Sequence, residues 1–262
     1  MKNNSTVIER VDLLNETIKL LKNHRSIREF DTQKDVEENQ IQTMIEAAMA
    51  APNWINGQQV SIIEIRDTAK KTKLAEAAGN QRWVREAPVF LVFCLDFYRA
   101  KLAADKHKRE FNIVENIEAI IVGSTDVGIM LSNAITAAES MELGIVPIGG
   151  IRRNPATFIE LLQLPQYVFP IAGLAVGFPK EIPEQKPRLP IDSVYHKEAY
   201  NRDIQERLLN EYDDTISAYT LGRSDKQHST DWSSNVSTFY ETGFEAYAKT
   251  VSPALKKQGF KY

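Results

Sequence analysis

The sequence predicts an α+β fold, and three observations carry that expectation. Strand-like runs at 60–65, 89–95, 145–151 and 167–176 are interleaved irregularly with helix-period segments, without the strict βαβ succession of a doubly wound sheet. The composition, 43% hydrophobic and 26% charged over 262 residues, is that of a globular chain long enough to bury a substantial core. Residues 114–142 form one long helical pattern rich in Gly, Ala and Ser, small residues that let neighbouring elements approach closely. That helix is expected either at the centre of the fold or at a subunit interface.

Each element follows from local chemistry. Thr6-x-x-Glu9 is a capping-box pattern, and Val7, Leu14, Ile18 and Leu21 follow at roughly helical spacing, which predicts a first helix ending near His24. The stretch NHRSIREF at 23–30 is then delivered as loop or strand. A second helix opens at Asp35 with Glu38 three residues on, runs through Ile41, Met44, Ile45 and Ala48, and stops at Ala51-Pro52. A polar loop, Asn53–Gln58, leads into the strand Val60–Ile65, and a helix is expected over 68–78. The apolar run Ala87–Leu95 reads as a buried strand. Asn154-Pro155 is an N-cap followed by proline at the first helical position. Residues 179–190, PKEIPEQKPRLP, carry four prolines without periodicity and form an extended loop. Beyond it, 201–220 and roughly 235–250 read as helices joined by the polar stretch 222–231. This tail has too little apolar material for its own core and is expected to wrap over another surface.

Charge and composition exclude several function classes. With 32 Lys and Arg against 35 Asp and Glu, the net charge is −3, so nucleic acid or an anionic membrane is not expected as a partner. MKNNSTVIER contains no apolar leader, and Ala87–Leu95 is too short to span a bilayer. A soluble cytoplasmic protein is the economical reading. Cys94, the single cysteine, can form no internal disulfide, and in a core strand it is expected to be inert. His24, His107, His196 and His228 are not paired at metal-ligand spacing, so no metal site is expected. There is no G-x-G-x-x-G, no phosphate-binding loop and no G-x-S-x-G elbow.

Four short stretches remain that carry chemistry. NHRSIREF crowds His24, Arg25, Ser26 and Arg28 into five residues. It is either a helix C-terminus whose cations complement the dipole, or a clamp for an anion. If it is extended, Arg25 and Ile27 face one side while Ser26 and Arg28 face the other, which suits two recognition points on one elongated ligand. Gly144–Gly150, GIVPIGG, is a strand ending in a glycine pair, a turn or a surface against which a flat ligand lies. Lys186-Pro187-Arg188 presents two cations on a stiff backbone. Asn53–Gln58, with Trp54 among amides, and Gly79-Asn80-Gln81 are polar turns or readers of a pyrimidine edge. No acid, base or nucleophile stands out, a pattern that suits an enzyme whose cofactor does the chemistry.

Five segments in this order, HRSIREF at 24–30, GNQRWV at 79–84, AAESMELGIVPIGGIRRNP at 137–155, LPQYVFPIAGLAVGFP at 164–179 and KPRLP at 186–190, resemble the flavin-dependent nitroreductase superfamily. The likeness is to its NADPH-dependent flavin reductase and oxygen-insensitive nitroreductase branch, and it runs from about residue 20 to the terminal KKQGF. The resemblance implies a single nitroreductase-like domain over 1–262, a mixed sheet flanked by helices. Its core spans about 6–190, and an extension over about 191–262 embraces the partner of an intertwined homodimer with FMN at the interface. It also implies ping-pong transfer of hydride from NADPH (or NADH) to FMN and on to free flavin, a quinone or a nitroaromatic. A non-enzymatic flavin-binding or sensor protein on the same scaffold is the alternative.

Carried over by resemblance, His24, Arg25 and Arg188 contact the FMN phosphate, and Ser26, Arg28 and Lys186 lie near the pyrimidine edge. Ile27 and Pro187 sit between these groups in the same two segments. Gln81 and Asn53 are polar ring contacts, while Pro147, Ile148, Gly149 and Gly150 supply backbone facing N5 and O4. Arg28 and Arg223 are the candidates for the NADPH, and no side chain is expected to act as a catalytic acid or base. Three departures stand out. Pro147 replaces an aromatic and removes a backbone donor. PNWIN at 52–56 replaces a serine-rich stretch, placing Trp54 where it narrows the substrate slot. GRSDKQHSTD at 222–231 changes a segment where relatives place arginines for the NADPH phosphates.

Overall fold

A computed structural model describes residues 14–222 and 230–261. The chain enters through α1 (Glu16–Lys22), whose N-cap Asn15 accepts the Ile18 amide at 3.0 Å. The Thr6–Glu9 capping pattern lies outside the described residues. Helix α2 (Glu38–Met49) starts beyond the expected Asp35: the Gln40 side chain accepts the Glu37 amide at 3.1 Å, and Asp35 accepts the Val36 amide instead. It buries Ile41, Met44 and Ala48, the stripe that the sequence pattern marked.

Strand β1 (Val60–Ile65) is followed by α3 (Thr68–Ala77), α4 (Arg82–Glu86), β2 (Val89–Asp96), α5 (Tyr98–Lys106) and α6 (Glu118–Ser140). Then come β3 (Gly144–Ile148), α7 (Pro155–Leu161) on its Asn154 cap, and β4 (Val168–Gly177). The strands stand in the order β1-β2-β4-β3, each neighbouring pair antiparallel. A bridge from Ser26 to Ile145 adds one parallel contact at the β3 edge. All eight residues of β2 are buried, as a central strand covered on both faces requires. Its register shifts between Phe93 and Cys94, opposite Pro170, where proline cannot donate to the ladder.

Alternation along β2 divides the core. Val89, Leu91, Phe93 and Leu95 face a cluster closed by α2 and α6, while Phe90, Val92 and Cys94 face one closed by α3, α4 and α7. Helix α6 has 23 residues, and an 18-residue window of it reaches a mean hydropathy of 1.4, which by length and composition alone is enough to cross a bilayer. It contacts α2 and all four strands, so it is the central helix of the fold.

Further boundaries differ from the sequence expectation: the helices expected from 114 and 201 start four residues later, at Glu118 and Gln205. The strand expected over 145–151 ends at Ile148, because Gly149–Arg153 turns into a 3-10 helix. The helix expected over 235–250 is two helices, α9 (Trp232–Thr238) and α10 (Glu245–Lys257), after α8 (Gln205–Leu221). A π-turn at Phe239–Gly243 separates them. The C-terminal end does not leave the body. Ala254, Leu255 and Phe260 join the chain's own core, and the Gln258 amide donates to the carbonyls of Pro165 (2.8 Å) and Val168 (2.7 Å). The segment before α8 behaves differently, with Ile182, Ile191, Val194, Tyr195 and Tyr200 all exposed.

Candidate functional site

The NHRSIREF stretch lies against β3. The Ile27 amide donates to the Ile145 carbonyl at 2.8 Å, and the Ile27 side chain is buried. The backbone is thus extended here, and the alternation expected of it is visible. Arg25 and Ile27 line a cavity of about 330 Å³, whereas Ser26 and Arg28 line a larger one of about 510 Å³. Arg25 reaches both. His24 Nδ1 lies 2.7 Å from the Glu139 carboxylate on α6, which anchors the start of the stretch. Arg25 Nη1 donates to the Asn23 carbonyl at 2.7 Å and to its side-chain oxygen at 2.6 Å. That leaves Arg25 Nε buried without a hydrogen-bond partner, a guanidinium edge still lacking an acceptor.

Lys186 and Arg188 line the larger cavity as well, together with Ile216, Tyr219 and Thr220 of α8. Two side chains hold the proline-rich segment in place. Gln185 donates to the Lys22 carbonyl, and Tyr212 donates its hydroxyl to the Pro187 carbonyl at 2.9 Å. Burial raises the pKa of the Tyr212 phenol, and Arg188 opposes that rise. Glu29, Glu181 and Glu184 also line the cavity, but Glu29 is engaged by Arg82 at 3.1 Å. Among the described residues Arg28, Lys186 and Arg188 form no ion pair, so their charge is available to an anionic ligand.

The glycine turn stands apart. Ile148 is buried, and Pro147 is exposed on edge strand β3, where a missing N–H costs no ladder bond. A Cβ on Gly150 would sit 2.3 Å from Gln81 Nε2 and 2.5 Å from the Ala78 carbonyl, so nothing larger fits. A Cβ on Gly149 would meet only Arg152 Nη2, at 3.5 Å. Gly149 opens on a second cavity, about 630 Å³, walled by Phe239, Tyr240, Phe244 and Tyr247, with Arg152 as its cation. Gly149 is not among the residues that line the cavity of Arg25 and Arg188.

Asn53 lines neither cavity, and its side-chain oxygen accepts the Gln58 amide at 3.1 Å. Its loop is organised by Asp126, a buried carboxylate on α6 that accepts the Trp54 amide at 3.2 Å and the Gln59 side chain at 3.0 Å. Trp54 is left 46% exposed, outside the core, and lines neither cavity. Arg223 lies outside the described residues. Burial drives the Cys94 thiol strongly upward, as an inert core cysteine requires. No group of metal-binding side chains occurs among the described residues.

Sequence reasoning did not find Glu139, Gln185, Tyr212 or Asp126. Each acts through a partner 25 or more positions away, and only Asp126 left a local signal, a carboxylate inside an apolar helix.

An antiparallel sheet with a central apolar helix, a cationic cavity and a glycine turn at the end of β3 is the framework of an α+β protein with room for an anionic ligand. The chain belongs to the nitroreductase family: the model of that family matches residues 21–178, and the model of its C-terminal domain matches 186–262. It is 44% identical over 250 residues to the FMN reductase (NAD(P)H) of Bacillus subtilis, covering 95% of this chain and 99% of that one. It is 38% identical over 224 residues to the oxygen-insensitive NADPH nitroreductase of Salmonella typhimurium, covering 85% and 90%. The solved structure of NfrA2 from B. megaterium superimposes with a TM-score of 0.91 at 46% identity, covering 95% of this chain and 99% of that one.

Proposed function

We propose that this chain is an FMN-dependent NAD(P)H oxidoreductase whose acceptors are free flavin, quinones or nitroaromatics. The single observation that carries the reading is the cavity that Arg25, Arg28, Lys186 and Arg188 line together, three of them without an ion pair among the described residues. The relatives' names, FMN reductase and NADPH nitroreductase, favour an enzyme over a flavin-binding sensor.

The residues present fit FMN. Arg25 and Arg188, which line the same cavity, offer forked donors to a phosphate. The open space over Gly149 admits a flat ring against the backbone. FMN, when bound, supplies a two-electron carrier between nicotinamide and acceptor. The chain's own part is binding and electrostatics. Arg28 and Lys186 bring unpaired positive charge to the pyrimidine edge, which favours negative charge arriving there. Ser26 and Gln81 add polar contacts, Ile148 to Gly150 supply backbone, and Asn53 and Trp54 belong to the neighbouring loop. No side chain has to move a proton as a dedicated catalytic acid or base.

We read the working form as a homodimer. The exposed apolar side chains from Ile182 to Tyr200 suit burial against a second copy, and the two cavities, separate within one chain, would be completed by that copy. The single-domain organisation and a cytoplasmic setting follow the same reading. Nicotinamide preference depends on a segment that includes Arg223. The test is reconstitution. Purified protein incubated with FMN and passed through a desalting column should emerge yellow, with about one flavin per chain and quenched flavin fluorescence, and should oxidise NADPH when a quinone or nitroaromatic is added. Protein that emerges colourless overturns the proposal.

A further inference from the structure

The cationic cavity and the glycine turn, separate as spaces, are joined by one side chain that the functional reading leaves unassigned. The Arg28 guanidinium lies over the Trp83 ring, 5.5 Å from its centroid. On its edge, Trp83 Nε1–H donates to Gln81 Oε1 at 2.9 Å. Gln81 Nε2 in turn donates to the Ala78 carbonyl at 3.1 Å and occupies the space a Cβ on Gly150 would need. Helix α4, which carries Trp83, is also fastened to the same stretch by the ion pair from Arg82 to Glu29 at 3.1 Å. Two adjacent residues of α4 therefore grip two adjacent residues of the NHRSIREF stretch, one by charge and one by a ring face.

Orientation is the point of this arrangement. A glutamine amide can be turned over with little change of shape, so its donor and acceptor ends are interchangeable unless neighbours distinguish them. Indole Nε1 is a donor only and the Ala78 carbonyl an acceptor only, so together they allow a single orientation. Arg28 is exposed and has no ion pair among the described residues, so the face of Trp83 is what restrains it.

We propose that Trp83 is a positioning residue. It fixes the Gln81 amide beside the Gly149-Gly150 turn and the Arg28 guanidinium at the cavity mouth, making the two halves one recognition surface for the polar edge of the flavin ring. This rests on the FMN reading above. The test is a double-mutant cycle on FMN affinity, measured by quenching of flavin fluorescence. Trp83→Phe keeps a ring face for Arg28 and removes the N–H, so it should weaken FMN binding roughly three- to tenfold, the scale of one neutral hydrogen bond. In a Gln81→Ala background the same substitution should change binding less than about twofold, because contacts acting through a shared partner are not additive. The apo melting temperature of Trp83→Phe should fall by no more than a few degrees, the scale of one lost hydrogen bond. Trp83→His, a ring with an N–H donor, should recover part of the loss in FMN affinity. In the apo protein, Gln81→Ala should also shift the Trp83 indole N–H resonance.

Additive losses in the cycle, or an indole resonance indifferent to Gln81→Ala, would overturn the proposal while leaving the FMN reading intact. Failure of the unaltered chain to bind FMN would sink both.

Discussion

Tyr212 on α8 and Pro187 in the proline-rich segment are joined at 2.9 Å, phenol to backbone carbonyl, between the two cations Lys186 and Arg188. The hydroxyl fixes the one backbone group that sits between both charges. Tyr212→Phe keeps the ring and its edge contact with Trp232, so it should lower stability by only about 1 kcal/mol. FMN affinity should fall about fivefold, the same energy expressed as a binding constant. Thermal unfolding of the apo form and flavin-fluorescence titration measure the two effects. Unchanged affinity would show that the segment holds its shape without this bond.

The two neighbouring glycines should separate folding from function. Gly150→Ala forces a methyl against the Ala78 carbonyl and the Gln81 amide, and a destabilisation of about 1–3 kcal/mol is expected. Gly149→Ala meets only Arg152 Nη2, so stability should stay within about 0.5 kcal/mol while flavin binding weakens. Equal losses of melting temperature for the two variants would contradict this division.

Asp126 predicts a loop effect. Asp126→Ala leaves the Trp54 amide and the Gln59 side chain without their acceptor, at a cost of about 2–3 kcal/mol. Asp126→Asn keeps an acceptor oxygen and should cost less than half as much. Denaturant titration of the two variants checks the order, and a reversed order would mean that the charge, not the acceptor, matters here.

Lys71 gives the pH dependence. Its Nζ donates to the carbonyls of Ala87 (2.5 Å) and Pro88 (3.3 Å) while the residue is buried. Burial pulls its pKa below the ordinary lysine value, opposed by Asp35. Between that lowered pKa and about 10.4 the unfolded chain binds more protons than the folded one, so this group's contribution to stability rises with pH across the window. Below the window the lysine is charged in both states and the contribution is flat. The stability of the native chain relative to Lys71→Met should therefore grow as the pH is raised towards about 10. A difference that shrinks instead would refute the assignment.

Much of this was legible in the sequence where the signal is local. The strand Val60–Ile65 lies where its β-branched run put it, and Asn154-Pro155 starts α7 because cap and proline act within one turn. Boundaries set by competition between neighbours were less legible. Helix α2 begins after Glu37 rather than Asp35 because Gln40 caps the Glu37 amide, while Asp35 spends its carboxylate on the Val36 amide. The π-turn that divides α9 from α10 has no strong local signature, and Gly243 alone marks it. In the site, the cations of 24–28 and 186–188 were readable as residue types. What orients them, Tyr212 for Pro187 and Glu139 for His24, was not, because those contacts span 25 and 115 positions. The aromatic wall beside Gly149 was equally invisible, since it is built by Phe239, Tyr240, Phe244 and Tyr247, about ninety or more positions away.

The most direct measurement is anaerobic mixing of the FMN-loaded protein with NADPH while the visible absorbance of the flavin is followed. The account predicts that the oxidised-flavin band bleaches and returns when a quinone, a nitroaromatic or free FMN is added. A bound flavin whose absorbance is unchanged by both NADPH and NADH would contradict it.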